Sequence, residues 1–408
     1  MTYSEMKDSG IFWIGDIPSH WDVSKAKYHV VITNGSDPET QGNIPVYGSG
    51  AGSFKTCGEY KEGPAVLIGR KGATLHIPHF IEGRYWNADT AFDVKARKGY
   101  SLRYFYYSAC CFDYKYYISQ TTLPSMTQSN YANMKIPVPS IQEQNNIAAF
   151  LDEKCGGIDA IIEEAKTSIE EYKRWKTSVI YQAVTKGLDP DTPLKDSGVP
   201  CIGKIPLTAK ISRANFHYDI ILGKMLSPVP LDDSYTLEPY YCAANVHFEG
   251  IASDELKEMW FNEAEKERYL VRRGDLLVVE GGAGAGGCAI AGETIRNAYI
   301  QNSIMIVRPK GKQDIRFLRY LIEMLVNRGY MEYVCNKATI PHFTKEKLAA
   351  VPYPLFDEND VVKISDYLDR KCAEIDAIIS EKQSLIAELE GYKKSLIYEA
   401  VTGKRKVG

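Results

Sequence analysis

The chain has 408 residues, of which 44% are hydrophobic and 25% charged, which is enough for two or three domains with buried cores. Its 49 basic and 52 acidic residues give a net charge of −3, so any basic surface for nucleic acid has to be local. No run approaches the roughly 18 apolar residues of a membrane span, and no apolar export signal is visible. The nine scattered cysteines include no CxxC pair. We therefore expect a cytoplasmic protein without a disulfide framework or a structural zinc site.

The first notable segment in chain order is KDSGIFWIGDIPSHWDVSKAKY at residues 7–28, because it returns as KDSGVPCIGKIPLTAKISRANF at residues 195–216. The two copies are identical at 10 of 22 positions. This repeat predicts two modules, at about 7–187 and about 195–403. The Pro-, Gly- and Asp-rich stretch GLDPDTPL at residues 187–194 is the expected linker.

Short β-rich runs closed by Gly or Pro follow in both modules. They are GPAVLIGRKG (63–72), NADTAFDVK (87–95), RGDLLVVEGG (273–282) and NSIMIVRP (302–309). The run QDIRFLRYLIEMLVNRG at residues 313–329 instead has helical periodicity. Each module is therefore predicted to contain an α+β globule.

Two of these runs end in glycine-containing turns, LIGRKGATL at residues 67–75 and EGGAGAGG at residues 280–287. The second contains a GxGxxG pattern at Gly282, Gly284 and Gly287. No helical pattern follows it and no Lys-Ser/Thr pair closes a phosphate loop, so the pattern does not indicate a nucleotide cofactor. We interpret both turns as loops whose backbone approaches DNA closely, and plain hairpin turns are the alternative.

Several side chains near these turns are candidates for DNA contacts. Arg70 and Lys71 supply positive charge, and Arg70 is the leading candidate for base reading because arginine donates bidentately to guanine O6 and N7. In the second module the polar candidates for base edges are Asn245, Glu280 and Gln301. Each of these three is equally interpretable as an internal polar residue.

A weaker echo precedes each long repeat described below, TLPSMTQSNYANMKIPVPSIQEQ at residues 122–144 against TIPHFTKEKLAAVPYPLFDEN at residues 339–359. Hydroxyl groups and a histidine lie ahead of a helix-like stretch in both copies: Thr121, Thr122 and Ser125 in the first, and Thr339, His342 and Thr344 in the second. Capped helix N-termini present free N–H groups to phosphate, and ordinary capping is the alternative. Lys345 and Lys347 are expected to add phosphate contacts.

The strongest repeat is LDEKCGGIDAIIEEAKTSIEEYKRWKTSVIYQAVT at residues 151–185, which returns at residues 368–402 with 19 of 35 positions identical. Apolar residues recur in heptads along both copies: Leu151, Ile158, Ile162, Ile169 and Tyr172 in the first, and Leu368, Ile375, Ile379, Ile386 and Leu389 in the second. About 38 helical residues make a rod of roughly 55 Å, too long for one small domain. Mutual pairing of the two rods is therefore predicted, and two unrelated amphipathic helices are the alternative.

The sequence offers no support for catalysis. It contains no Pro-Pro pair, which excludes the usual Asn/Asp-Pro-Pro-aromatic tetrad of adenine methyltransferases, and no Ser-His-Asp order stands out. His76 and His79 have HxxH spacing but lack a third ligand. We expect no catalytic residues, no metal and no cofactor. An enzyme with unusual motifs and a coiled-coil scaffold whose globules bind protein are the two rival interpretations.

The repeated motifs carry a resemblance to a known family. KDSGIFWIGDIPSHW at the module start, IPVPSIQEQNNIAAFLDEK before the long repeat, and its close YQAVTKG resemble the specificity subunit of Type I restriction–modification systems. The second copy departs in VPYPLFDEND and PCIGKIPLTA, which weakens the aromatic part of that motif. The resemblance covers both modules, and its variable segments are not specific.

The resemblance implies an α+β protein in which two target recognition domains alternate with two long helices, paired as an antiparallel coiled coil in a pseudo-twofold tandem repeat. The implied domains are residues 1–145, the central helix 146–187, residues 188–358 and the C-terminal helix 359–408. Each recognition domain would read one half of a bipartite site on double-stranded DNA. The helices would set the spacer and dock two modification (methyltransferase) subunits, to which restriction subunits attach.

Overall fold

The computed structural model describes residues 3–50, 52–118, 124–293, 297–335 and 341–407. The chain forms two compact units. The first unit consists of residues 1–167 and 381–408, and the second of residues 168–380. The first unit is therefore discontinuous in sequence, since it contains both ends of the chain.

The described part of the first unit combines short strands with three short α-helices, the start of one long helix and the end of another. Its strands are β1 (Met6–Asp8), β2 (Asp16–Pro18), β3 (Asp22–Lys25), β4 (Val30–Asn34), β5 (Ile44–Tyr47), β6 (Ser53–Cys57), β7 (Lys61–Glu62), β8 (Ala65–Gly69), β9 (His79–Ile81), β10 (Arg84–Asn87), β11 (Ala91–Ala96) and β12 (Lys135–Val138). Its helices are α1 (Leu102–Ala109), α2 (Tyr114–Tyr117), α3 (Gln128–Asn133) and α4 (Ile141–Lys186), of which residues 141–167 belong here.

Two four-stranded sheets organise this unit, with strand orders β4-β11-β8-β9 and β6-β5-β10-β7. All five residues of β8 are buried, which explains why its sequence AVLIG is a continuous apolar run. Trp21, Phe92, Tyr104 and Phe105 are at most 1% exposed and fill the core beside the long helices. The predicted α+β globule is thus present in this unit.

The second unit has a similar set of elements. Its strands are β13 (Leu194–Asp196), β14 (Lys204–Pro206), β15 (Lys210–Arg213), β16 (Tyr218–Leu222), β17 (Thr236–Tyr241), β18 (Val246–His247), β19 (Gly250–Ile251), β20 (Lys257–Phe261), β21 (Leu276–Val279), β22 (Cys288–Ile290), β23 (Tyr299–Ile300), β24 (Ile304–Pro309) and β25 (Pro352–Leu355). Its helices are α5 (Ala214–His217), α6 (Glu263–Tyr269), α7 (Ile315–Asn327), α8 (Tyr330–Val334), α9 (Lys345–Ala349) and α10 (Glu358–Val401), whose residues 381–401 belong to the first unit.

The main sheet of the second unit has the strand order β16-β24-β21-β22. Both main sheets have the same strand order. The first of the four strands along the chain lies at one edge, the last lies beside it, and the second and third follow, as in β4-β11-β8-β9 of the first unit. The amphipathic helix α7 packs against β22 and buries Phe317, Leu318 and Leu321. The helical periodicity of residues 313–329 is therefore confirmed, with the helix starting at the Asp314 cap.

The helix α4 begins at Ile141, ahead of the expected boundary at residue 146. A capping box explains this early start, since the Glu143 amide donates to Ser140 Oγ (3.3 Å) and the Ser140 amide donates to Glu143 Oε2 (3.2 Å). Gly187, with a φ of +82°, ends the helix in the left-handed conformation. The Ser-x-x-Glu pattern at residues 140–143 is the sequence signal for this start.

In each unit, the end of a long helix contacts the Ile-Gly pair of the repeated module-start motif. In the first unit, Tyr398 donates to the carbonyl of Ile14 (3.1 Å). In the second unit, Tyr181 donates to the carbonyl of Ile202 (3.2 Å). The two tyrosines occupy the same place in YQAVT and YEAVT, so the two repeated motifs of the sequence are structural partners of each other.

Both units also contain segments of both long helices. In the first unit, Leu151, Ile158 and Ile162 are buried in the core with Leu396 and Ile397, and Ile386 and Leu389 are partly buried against it. In the second unit, Leu368 is buried in the core, Ile169 and Ile375 are buried, and Ile379 and Tyr172 are half-buried. The apolar heptad positions thus face protein in both units.

Candidate nucleic-acid interface

The glycine-containing turns and the echo segments are far apart in sequence but lie side by side in each unit. In the first unit, the Gly72 amide donates to the Pro124 carbonyl (3.0 Å) and the Met126 amide to the Arg70 carbonyl (2.9 Å). In the second unit, the Gly282 amide donates to the Pro341 carbonyl (3.2 Å), and the Phe343 amide donates to the Glu280 carbonyl. We call these structures the first paired turn (residues 70–72 with 124–126) and the second paired turn (residues 280–282 with 341–343).

Glycine is required at specific positions of both paired turns. Gly72 and Gly282 have φ values of +111° and +92°, which side chains rarely allow. At Gly281, an added Cβ would lie 2.8 Å from Nδ1 of His342. The tips that follow, residues 73–74 and 283–284, are exposed, so Gly284 faces solvent. The glycines thus permit a tight turn with accessible backbone.

The first paired turn carries two cationic side chains that both contact Asp89, Lys71 at its carboxylate and Arg70 at its backbone carbonyl. Lys71 Nζ lies 2.9 Å from Asp89 Oδ2, and both side chains are about 40% exposed, at 39% and 41%. Arg70 Nη1 donates to the Asp89 carbonyl (3.2 Å), while its guanidinium carbon lies 5.9 Å from the centre of the Phe92 ring. Arginine has five N–H donors, so Arg70 retains donors for a ligand.

The second paired turn carries an acid and a histidine. Glu280 Oε2 lies 3.2 Å from His342 Nδ1, and the two side chains are 19% and 55% exposed. Lys347 Nζ donates to the His342 carbonyl, so this lysine stabilises the backbone of the turn, whereas Lys345 is exposed. Of the two lysines expected to contact phosphate, Lys345 is thus exposed and Lys347 is engaged with the turn.

Two candidate base readers of the second module make internal hydrogen bonds. Asn245 Oδ1 accepts from the Cys242 amide (2.9 Å), and its Nδ2 donates to the Ala252 carbonyl (3.3 Å). Gln301 Oε1 accepts from the Ser303 amide (3.1 Å), and its Nε2 donates to Asn302. These contacts favour the alternative that both residues are internal polar groups.

The echo segments differ from the expectation of a phosphate seat at a helix start. The cap of α3 is Thr127, whose hydroxyl accepts from the Asn130 amide (3.0 Å), and Ser125 lies within the first paired turn. Thr344 is the N-cap residue of α9, and helices α3 and α9 have only six and five residues, so their dipoles are small. Thr121, Thr122 and Thr339 lie outside the described residues.

The described part of the chain does not present the usual groupings for metal, nucleotide or thiol chemistry. No group of three His, Cys, Asp or Glu side chains there is arranged to hold a metal ion. The GxGxxG stretch leads from β21 into the strand β22. Burial raises the pKa of Cys110 to about 12 and that of Cys372 to about 11, which keeps both thiols protonated and poorly nucleophilic at neutral pH. Within the described ranges, no helix combines the length and apolar character that crossing a membrane requires.

The described residues thus define a mixed helix–strand protein with two long helices and two glycine-based paired turns. Residues 22–171 match the family model of the Type I restriction modification DNA specificity domain. The resemblance to Type I specificity subunits, which the repeated motifs indicated, is thereby confirmed.

Individual known proteins are similar to parts or most of this chain. A Type I restriction enzyme EcoprrI specificity subunit from Escherichia coli is 26% identical over 117 residues, covering 29% of this chain and 27% of that protein. A chain solved in work on complex assembly and conformational transition of the type I R-M system has a TM-score of 0.69 at 15% identity, covering 94% of this chain and 98% of that one. This likeness supports the fold. The HsdS subunit from Thermoanaerobacter tengcongensis has a TM-score of 0.49 at 15% identity, with coverage of 95% and 98%.

Proposed function

We propose that this chain is the DNA sequence-specificity subunit of a Type I restriction–modification complex, and that each globule reads one half of a bipartite asymmetric site. The observation that carries the proposal is the paired turn, which recurs in both units. The match of residues 22–171 to the DNA specificity domain is the second support. Backbone and side-chain donors at glycine turns suit close contact with DNA. Residues 1–145 and 188–358 are the proposed recognition domains.

In this proposal, the helices at residues 146–187 and 359–408 pair as an antiparallel coiled coil, and the whole is a pseudo-twofold repeat. Two ion pairs support this pairing: Lys393 with Asp159 in the first unit and Lys176 with Asp376 in the second, each with a shortest distance of 2.6 Å. The pairs occupy equivalent places, since Lys393 follows Lys176, and Asp376 follows Asp159, by the same 217 residues. The paired helices set the spacer between the half-sites.

The catalytic work belongs to partners in this proposal. Two modification (methyltransferase) subunits dock on the helices, extrude the target adenine and methylate it, and restriction subunits complete the complex that serves phage defence. The chain itself contributes recognition, without a catalytic residue, metal or cofactor, and acts in the cytoplasm. Because its net charge is −3, we expect weak DNA binding by the isolated chain, with the modification subunits completing a positive channel.

Exchange of residues 29–121 for the equivalent segment of a relative with a different target tests the proposal. Complexes that contain the exchanged chain should methylate a site in which one half has changed while the other half and the spacer are retained. A change in both halves, or an unchanged site, would contradict the assignment of one globule to one half-site. The restriction-modification partners co-purifying with both chains would show that assembly is intact.

A further inference from the structure

We propose that Glu280 selects a base that presents an exocyclic amino group in the major groove, which means cytosine N4 or adenine N6. The inference rests on the proposed DNA-recognition function and names the chemistry that the second paired turn recognises. It assigns to the second globule the opposite preference from the first, whose turn carries Arg70 and Lys71 at the corresponding positions.

The carboxylate of Glu280 is held in place and keeps one oxygen available. Its backbone is fixed by the amide, which donates to the Ser303 carbonyl (2.8 Å), and by the carbonyl, which accepts from Phe343. Oε2 accepts from or pairs with His342 Nδ1 at 3.2 Å, while Oε1 has no protein partner within the described residues. With 19% of the side chain exposed, Glu280 offers a partly desolvated acceptor at the turn.

The two paired turns have a similar β-bridge, but the large side chain comes from the glycine-containing turn in the first unit and from the echo segment in the second. The β-bridge pairs Lys71 with Ser125 in the first unit and Gly281 with His342 in the second. A large nitrogen-bearing side chain therefore stands opposite a small residue in both, because the His342 ring occupies the space that a Cβ on Gly281 would need. The supporting acid differs as well, since Lys71 pairs with Asp89 whereas His342 pairs with Glu280, within the turn itself.

This difference decides which base edges each turn tolerates. Arginine and lysine donate to the O6 and N7 acceptors of guanine, which suits Arg70 and Lys71. A carboxylate is repelled by phosphate oxygens and by the O6, O4 and N7 acceptors, so it is favourable only opposite a donor. In the major groove, that donor is the amino group of cytosine or adenine. Glu280 thus selects by rejection as well as by its hydrogen bond.

The substitution Glu280→Gln tests this inference in cells that carry the complete system, with methylated adenines mapped across the genome by long-read sequencing. Glutamine has almost the same shape but can donate as well as accept. We expect one position of one half-site, a cytosine or adenine on the strand that is read, to lose about tenfold or more of its discrimination against guanine and thymine. The other half-site and the spacer should be retained, which shows that the variant folds and assembles.

Two controls make the outcome decisive. Glu293→Gln in the same unit removes an acid that is 76% exposed and pairs with Arg273, and it should leave the motif unchanged. His342→Gln should relax the same position as Glu280→Gln, because it releases the carboxylate. An unchanged motif in the Glu280 variant, or relaxation at a guanine or thymine, would overturn the inference. The absence of any bipartite motif with the natural chain would instead overturn the proposed function.

Discussion

Single residues determine the local geometry at several positions, and Glu143 is the first of them. Glu143 accepts from His20 (2.9 Å) and Trp21 (3.2 Å) of the module-start motif and from the Ser140 hydroxyl (2.8 Å). Burial opposes ionisation of Glu143, but the hydrogen bonds from His20, Ser140 and Trp21 outweigh it and lower its pKa from 4.5 to about 2. The module-start motif is thus tied to the start of α4 by an ionised carboxylate.

The substitution Glu143→Gln should therefore destabilise the protein in a pH-dependent manner. Because the folded-state pKa is below the unfolded value, the contribution of the carboxylate is complete above about pH 4.5 and is lost as the pH falls toward 2. Urea midpoints of the natural chain and the variant should differ by a constant amount from about pH 5 to 8 and converge below about pH 4.5. A difference that is independent of pH down to pH 3 would contradict this account.

Gly403 offers a second test at the residue scale. It has a φ of +73°, and an added Cβ would lie 2.2 Å from Pro18 Cδ and 3.1 Å from the Trp21 ring. Both backbone strain and overpacking act against Gly403→Ala, so we expect destabilisation by about 1–3 kcal/mol, measured as a lower Tm.

The matched control for this test is Gly391→Ala. Gly391 lies within α10 with nothing near its absent side chain, so alanine there should stabilise the chain by about 0.5–1 kcal/mol. Equal effects of the two substitutions on Tm would show that the clash with Pro18 and Trp21 is not what matters at Gly403.

At the scale of secondary-structure elements, the hydrophobic periodicity of the sequence predicted the long helices but not the contacts between distant segments. The heptads of residues 151–185 and 368–402 predicted the long helices, and the buried positions agree because an apolar stripe has to face protein. Periodicity did not show that the glycine turns pair with the echo segments, since a β-bridge such as that of Lys71 with Ser125 joins residues 54 apart and leaves no local pattern. Asp89, which binds Lys71 at the first paired turn, was missed for the same reason.

At this scale, exchange of charge in the Lys176–Asp376 pair tests the contact between the long helices in the second unit. Lys176→Glu and Asp376→Lys should each destabilise the chain, and the double variant should recover about 0.2–1 kcal/mol, because the side chains are 21% and 53% exposed and solvent screens the pair. Urea unfolding of all four proteins gives this coupling energy. The pair of Lys173 with Glu170, which lies within α4, is the control and should couple by only about 0.3 kcal/mol. A zero coupling for Lys176 with Asp376 would show that this contact contributes nothing to pairing.

For the whole molecule, the proposed spacer rests on two equivalent helices. Removal of one heptad from each helix, at positions related by the repeat, should retain the apolar seam while bringing the half-sites closer. We expect a methylated motif with a shorter gap and unchanged halves. Removal of a heptad from only one helix moves one residue of an ion pair, Lys393–Asp159 or Lys176–Asp376, out of register with its partner. We expect this single deletion to abolish assembly. An unchanged gap after the double deletion would refute the proposed role of the helices.

The repeats in the sequence predicted two modules. They did not predict how the chain is divided between the two structural units. The first unit combines residues 1–167 with 381–408, because the end of the second long repeat packs on the start of the first module. Nothing in the spacing of residues 7–28 and residues 368–402 indicates that contact. No motif in the sequence encodes the recognised bases, since a base contact depends on single side chains such as the one proposed for Glu280.

The most direct test of the central claim is a genome-wide map of N6-methyladenine by long-read sequencing, in cells with and without this gene. The proposed function predicts a bipartite motif with a fixed gap that is methylated in the natural strain, disappears on deletion and returns on complementation. A methylome that is identical with and without the gene, in cells where the partner methyltransferase is shown to be produced, would contradict it.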